Sequence, residues 1–391
     1  MPIRRSRQED GSVHIELLDG AGEPVPVVTA FLRHLAARDY SPHTLIAYAH
    51  DLQHLWRFLT SHGLTWQTFQ ASHALDLLAS LRAFSSTHPV QRLGLGLTTT
   101  QRGQPARHLA PKTINRILAA VSSFYEYTIV AGVYRDANPL EKIPDPIAPR
   151  VTERHRSFLH GIRRQHPLRR RVGVRTVERL PRPLAEDQVG ALLAALRCTR
   201  DLALVRLMLD GGLRPGEVLS LHLEDIAYGR RRVTVRRRCD HPKGVRTKSR
   251  VERVVDVHEA VTLAVVNTYV MTERPHDAPS PFLFLVGGRG WRRYDPLSYA
   301  ALAKLFRRAC QRAGLQAPWL TPHSLRHTHA TRMWEGGMRE LTLQKRLGHA
   351  SLESTRLYTH ISDPAVVADY RRALGLGPVD PPHVIPHKEP V

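Results

Sequence analysis

Apolar residues recur at helical spacing through residues 26–145. Phe31, Leu32, Leu35 and Ala36 share one face. Ser41-Pro42 opens a second run, with Leu45, Tyr48, Leu52, Leu55, Trp56 and Leu59 as its apolar positions and Gly63 as its stop. Leu75 to Phe84 predicts a shorter helix. Pro111-Lys112-Thr113 opens another, whose apolar face runs through Ile114, Ile117, Leu118, Val121, Phe124 and Tyr125 and which Asn138-Pro139 closes. The glycines and threonines from Gly94 to Arg107 read as a loop. Ahead of these helices, residues 1–25 form a polar lead-in in which only Val13 to Leu17 alternates as a short strand would.

The pattern changes after residue 182. Helical runs over Glu186 to Leu196, Asp201 to Leu209, Glu259 to Met271 and Pro296 to Ala313 are joined by two alternating stretches, Arg231 to Arg238 and Val251 to Val257, which predict half-buried strands. Gly211-Gly212 ends one helix, and Leu213-Arg214-Pro215-Gly216-Glu217 opens the next. Phe282 to Val286 is a short apolar segment. Thr321-Pro322 fits a helix start, with the threonine as N-cap and proline at the first helical position. Gly348 reads as the stop of a helix over Leu341 to Leu347. One more short helix is expected beyond Asp363-Pro364, and a disordered tail over 376–391. The fold class is therefore two-domain: an all-α domain over 26–145, a linker over 146–182, and a mixed α/β domain, mainly helical with a small sheet, over 183–375.

With 391 residues there is room for both cores. Charge adds a partner. Lys and Arg number 57 against 35 Asp and Glu, a formal net charge of +22, which points to a polyanion and first to nucleic acid. Between Arg150 and Arg182 stand eleven arginines against only Glu153 and Glu178. This linker, with Arg163, Arg164, Arg169, Arg170 and Arg171, suits a DNA backbone; a solvated charge run is the plainer reading. Ser41, His43, Thr44, Lys112, Thr113, Asn115 and Arg116 cluster at two helix starts, where they either face DNA phosphates or simply cap. Three widely spaced cysteines, Cys198, Cys239 and Cys310, fit a reduced cytoplasmic setting. No apolar run approaches the ~18 residues of a membrane span, and the N-terminus lacks an apolar signal core.

Candidate chemistry concentrates between Thr321 and His360: His323-Ser324-Leu325-Arg326, then Gly348-His349, then Tyr358. Arginine grips phosphate oxygens with a planar fork, histidine moves a proton near neutral pH, and tyrosine can form a covalent intermediate. His323 and Arg326, three apart, share a helix face. His327 and His329 as zinc ligands with His323 lack a Cys or Asp partner at ligand spacing, and Cys239-Asp240-His241 is no better. A metal-dependent transposase would need clustered carboxylates, and none stands out.

The ordered series Arg214, Lys248, His323, Arg326, His349 and Tyr358 resembles the tyrosine recombinase (phage integrase) family. GGLRPGEVLSLHLEDI is similar to the family's first arginine box and HSLRHTHAT to its H-x-x-R box. LGHASLESTRLYTH is similar to the histidine-plus-tyrosine box, with His349 nine positions ahead of Tyr358. KSRVERVVDV resembles the lysine-bearing hairpin, which favours Lys248 over its competitor Lys243. The helical half resembles the SAM-like core-binding domain. The resemblance implies site-specific exchange of double-stranded DNA through a 3′-phosphotyrosyl link, without ATP, metal or other cofactor, by a tetramer on synapsed DNA that is a monomer when free. In that chemistry Arg214 and Arg326 neutralise phosphoryl charge and Tyr358 attacks. His323 takes its proton, His349 holds the phosphate, and Lys248 protonates the leaving oxygen. Glu217, one turn from Arg214, orients the site. A type IB topoisomerase-like nicking and resealing enzyme would use the same residues. A non-catalytic architectural DNA-binding protein would be expected to have lost them.

Overall fold

The structure is a computed structural model that describes residues 1–7, 13–84, 98–99, 105–106, 108–144, 168–176, 182–238, 240–245, 247, 252–348 and 373. The chain divides into two compact units, Met1–Val177 and Glu178–Val391.

The first unit is built on α1 (Pro26–Ala37), α2 (Pro42–Ser61), α3 (Ala74–Ala83) and α4 (Pro111–Val130). Proline sits in the first turn of α1, α2 and α4, where its missing N–H costs nothing. Ser41 Oγ accepts from Thr44 N at 3.1 Å and so caps α2. The apolar faces meet in a core rich in rings. Phe31 and Trp56 both stand edge-on to Phe124, and Phe69 stacks on Tyr125. The two buried phenols are satisfied inside it: Tyr125 donates to Trp66 O at 2.8 Å and Tyr134 to Phe69 O at 2.7 Å.

Several expectations need correction. The expected strand over Val13 to Leu17 is present, but it is not alone in the N-terminal lead-in. β1 (Ile3–Arg7) pairs antiparallel with β2 (Val13–Leu17), and the alternation in β2 puts Ile15 and Leu17 into the core at 3% and 0% exposure. Helix α4 ends at Val130, not at Asn138-Pro139. The chain turns at Gly132, and Asn138 returns to donate its side-chain amide to Ser122 O at 3.0 Å. Within the expected loop 94–107, β3 (Thr98–Thr99) pairs with β4 (Pro105–Ala106). Part of the basic linker also folds onto this unit: β6 (Leu168–Arg170) pairs antiparallel with β5 (Lys142–Pro144). Asn115 clamps the same segment, donating to Val174 O at 2.8 Å and accepting from Val174 N at 2.9 Å.

The second unit carries α5 (Glu186–Ala194), α6 (Thr199–Asp210), α7 (Pro215–Leu219), α8 (Ala260–Thr272), α9 (Tyr299–Arg312), α10 (Pro322–Glu335) and α11 (Glu340–Leu347). An antiparallel sheet of order β7 (Ile226–Ala227), β8 (Arg232–Val235), β9 (Arg253–Asp256) lies among them, with Val233 facing both Ile226 and Val255. Helix α6 packs on α8 and α10, and its buried Leu204, Leu207 and Met208 join Leu213, Val218, Phe284 and Phe306 in one core. Ala330 of α10 meets Leu343 and Leu347 of α11 in a smaller apolar cluster, which fixes the end of α11 against α10. Thr321 stands at the N-cap of α10 but its side chain makes no cap bond; Ser324 closes that turn by donating to Thr321 O. No helix among the described residues is long and apolar enough to cross a membrane.

Because Leu17 is fully enclosed by the helices, Leu17→Ala is expected to destabilise the protein by about 2–5 kcal/mol. Urea unfolding of the full chain measures this; an unchanged midpoint would mean that the hairpin is an ornament.

Candidate active site around Glu217

The site begins with a chain reversal. After α6 the backbone takes a left-handed turn at Gly212 (φ +64°), and the ring of His329 lies against that turn. A Cβ there would stand 2.4 Å from His329 Cδ2, so only glycine fits. The turn delivers Arg214 to the N-cap of α7, and Glu217 reaches back from the third helical position to accept from Arg214 N at 2.8 Å.

Glu217 is 1% exposed, and an isolated carboxylate would not stay ionised there. Three arginines surround it. Arg253 of β9 grips both oxygens, at 3.0 and 2.7 Å, in a bidentate pair. Arg214 Nη1 donates to Oε1 at 2.8 Å, and Arg326 Nη1 lies 3.9 Å from Oε2. Burial would raise its pKa, but the bonds and charge of Arg253, then Arg326 and Arg214, outweigh that and hold it at about 2.

The same three guanidinium groups converge on the C-terminal end of α11. The last carbonyls of a helix have no partner within it and carry the negative end of its dipole. Arg253 Nε donates to Arg346 O at 2.9 Å. Arg214 Nη1 donates to Leu347 O at 3.2 Å and its Nη2 to Gly348 O at 3.1 Å. Arg326 Nη2 donates to Leu347 O at 2.5 Å, and its Nη1 to Gly212 O at 2.6 Å. Gly348 closes α11 in the left-handed region (φ +62°), and a Cβ on it would stand 2.8 Å from Arg253 Nη1. Arg214 and Arg326, far apart in the chain, thus share one acceptor.

A second layer locks α11 from behind. Arg346 donates to Asp256 O and Asp210 O, both at 3.1 Å, and through Nε to His329 Nε2 at 3.0 Å. Arginine only donates, so His329 Nε2 must be an acceptor and its proton must sit on Nδ1, 2.8 Å from Leu209 O. Burial first, and then the charge of Arg346, lower the His329 pKa to about 3. These contacts commit His329 to the fold. Its spacing from Arg326 hinted at a role on the same helix face. The hint for Arg253 was subtler: it is an arginine at an inward strand position, in step with buried Val255 and Val257.

His323 stands exposed in the first turn of α10, three residues before buried Arg326. Lys248, His349 and Tyr358 lie outside the described residues, although Gly348 leads directly into His349. The connection toward Lys248 is anchored on its near side. Arg238 pairs with Asp225, and Lys243 Nζ donates to Asp295 at 2.7 Å, which engages the ammonium that competes with Lys248. Of the expected DNA contacts, Ser41 and Thr44 are bonded to each other, Asn115 is taken up by Val174, and Arg116 pairs with Asp51 at 2.9 Å. His43, Lys112 and Arg171 are exposed, and Thr113 and Arg170 partly so. Arg169 lies in β6; Arg163 and Arg164 are outside the described residues.

With this geometry in view, residues 182–364 match the phage integrase family and residues 28–92 match the N-terminal SAM-like domain of phage integrases. The two matches follow the order of the two units and together span more than half of the chain, which belongs to the phage integrase family of tyrosine recombinases, enzymes that cut and rejoin DNA at specific sites. The chain is similar to transposase A of transposon Tn554 from Staphylococcus aureus, 27% identical over 92% of this chain and 93% of that protein. It is also similar to the tyrosine recombinase XerC of Chlamydia caviae, 28% identical over 85% and 93%. In fold it resembles the Tn1549 transposon integrase solved with a circular intermediate DNA, at TM-score 0.58 and 17% identity over 88% of this chain and 99% of that one.

Three outcomes follow. Glu217→Ala should cost about 3–5 kcal/mol, because it takes the anion from buried Arg326 and from the partly buried Arg214 and Arg253. The Glu217 pKa is depressed from 4.5 to about 2, so its contribution is complete above about 4.5 and is lost as pH falls through about 2. Acid unfolding of Glu217→Gln should therefore flatten over that window, and a variant that tracks wild type there would contradict this. His329 should remain neutral with its proton on Nδ1. Imidazole NMR should find no titration between about pH 5 and 8, whereas an ordinary midpoint near 6.5 would overturn the assignment.

Proposed function

We propose that the chain breaks and rejoins DNA through a tyrosyl intermediate in which Tyr358 is the nucleophile. The single observation that carries this reading is that Arg214 and Arg326 both donate to Leu347 O, two residues before His349. The arrangement ties the start of the histidine-and-tyrosine stretch to the two groups best suited to neutralise a phosphoryl transition state.

In this reading a backbone phosphate lies beside Arg214 and Arg326, and His349 hydrogen-bonds to it. The Tyr358 hydroxyl attacks phosphorus in line, and His323, exposed at the start of α10, takes its proton. The bond to the 5′-oxygen breaks, and Lys248 protonates that oxygen. A 3′-phosphotyrosyl link and a free 5′-hydroxyl result. Attack by the 5′-hydroxyl of a partner strand reverses the steps and releases Tyr358, so the bond energy is kept within the link. Glu217 touches no substrate. It holds Arg214 and Arg253 in place and keeps Arg326 close.

The partner is double-stranded DNA, bound by a homo-tetramer at synapsis, and the protein free of DNA is a monomer. The Tn1549 integrase was solved on circular intermediate DNA and XerH on a palindromic difH substrate, which supports this partner. Since Asn115, Ser41 and Thr44 are used by the fold, the exposed His43, Lys112 and Arg171 are the better backbone contacts, with the arginines of 150–182 along the same strand.

Incubation with a random-sequence pool of nicked duplexes, followed by SDS and sequencing of trapped DNA, should yield a covalent adduct with wild type and none with Tyr358→Phe. An adduct from the phenylalanine variant would dismiss Tyr358. Lys248→Ala should slow cleavage by about 10²–10⁴-fold. A bridging sulfur in place of the 5′-oxygen should restore the rate, because a thiolate leaves without a proton. No restoration would remove Lys248 from that role.

A further inference from the structure

The loop between Leu285 and Pro296, sequence VGGRGWRRYD over residues 286–295, takes no part in the chemistry above. Its ends are pinned by the bridge of Leu285 with Pro296. Its interior is knitted by its own backbone: Val286 N to Asp295 O at 2.9 Å, Gly287 N to Arg293 O at 3.0 Å, and Arg293 N to Gly290 O at 3.0 Å. It is therefore a preformed finger. At its tip Trp291 is 83% exposed, an unusual state for so large an apolar ring. The guanidinium carbon of Arg292 lies over the indole, 4.6 Å from its centroid.

The charges of the finger divide into two groups. Arg293 is neutralised by Asp277 at 2.7 Å, with Tyr294 on the same carboxylate, and Asp295 is neutralised by Lys243. Arg289 and Arg292 are exposed, and among the described residues no carboxylate pairs with either. Among the described residues the nearby acids are thus consumed, and two cations and a flat ring remain at the tip. A guanidinium held over an indole loses part of its freedom and keeps its N–H donors for another acceptor, which suits a phosphate oxygen. A second copy of a chain with net charge +22 would be repelled by such a tip, and a polyanion attracted.

We propose that residues 286–295 form a DNA-backbone clamp. Arg289 and Arg292 each take a phosphate, and Trp291 holds Arg292 in place and lies against the sugar edge of the strand. The clamp is independent of base sequence and contributes to binding, not to bond breaking. Its position supports this, since the Lys243–Asp295 pair ties the finger to the segment that runs on toward Lys248. The inference rests on the DNA reading above.

The test measures binding of the full chain to a short random-sequence duplex across a salt series. Arg289→Ala with Arg292→Ala should lower the slope of log K against log salt by roughly two, about 0.9 for each phosphate left without its arginine. Trp291→Ala should weaken binding about fivefold or more, and Trp291→Phe much less, because a ring remains. Adduct formation at saturating DNA should match wild type in all three. If wild type binds the duplex and the variants keep its affinity and slope, the clamp is wrong while the recombinase reading stands. If instead the variants lose self-association in sedimentation and keep DNA affinity, the finger is a contact between copies and the proposal fails. A wild-type chain that binds no duplex at all would bring down both.

Discussion

A carboxylate held almost wholly out of water can keep its charge only if cations replace the lost hydration, and Glu217 is in that position. Arg253 satisfies both of its oxygens, Arg214 bonds to one, and Arg326 stands just beyond. The dependence runs both ways, because buried guanidinium groups equally need an anion. Such a cluster is poor evidence of large net stability, since desolvating four charges costs much of what their attraction returns. Its value lies in geometry. Glu217 fixes arginines from the α7 cap, from β9 and from α10 relative to one another, and no apolar replacement could do that.

The second constraint is the end of α11. Its last carbonyls and dipole present partial negative charge, and the arginines that bind Glu217 also bind these oxygens. One helix terminus therefore works as a latch. While it is closed, Gly348 is held beside Arg253, and the chain must continue toward His349 from a defined point. Arg346 and neutral His329 complete the latch by tying α11 to the end of α6 and to β9. The close contact between Gly212 and His329 explains the glycine at the start of the first arginine box. The turn needs a left-handed residue, and the imidazole leaves no room for a side chain.

The two units use their polar residues differently. In the first, several polar groups at helix starts that suit DNA are spent on internal bonds: Ser41 with Thr44, Asn115 with Val174, Arg116 with Asp51. In the second, the finger around Trp291 has Asp295 and Arg293 paired with Lys243 and Asp277 outside it and leaves Arg289 and Arg292 exposed. Away from the Glu217 cluster, exposure and local pairing thus separate groups that hold the fold from groups able to meet a polyanion, and residue type alone does not.

Much of the chain could be read without coordinates. Helical spacing marked α1, α2, α4 and α6 because burial of one face imposes a period near 3.6, and Thr321-Pro322 marked the start of α10. Pro at helix starts and Gly348 at a helix end follow from backbone geometry alone. Arg214, Glu217 and Arg326, which the structure brings together, all stood in stretches that the sequence had singled out by residue type and spacing. What escaped depends on partners distant in the chain. The β1–β2 hairpin, the return of 168–176 onto β5, the linkage of Glu217 to Arg253, and the grip of Arg346 on His329 are long-range pairings. Alternation or charge in one segment does not say which other segment will meet it. Packing of α11 against α10 and β9 made the choice for the Glu217 cluster, and burial of β2 against α1 and α2 made it for the hairpin, since these contacts bury apolar faces that no single segment can cover alone.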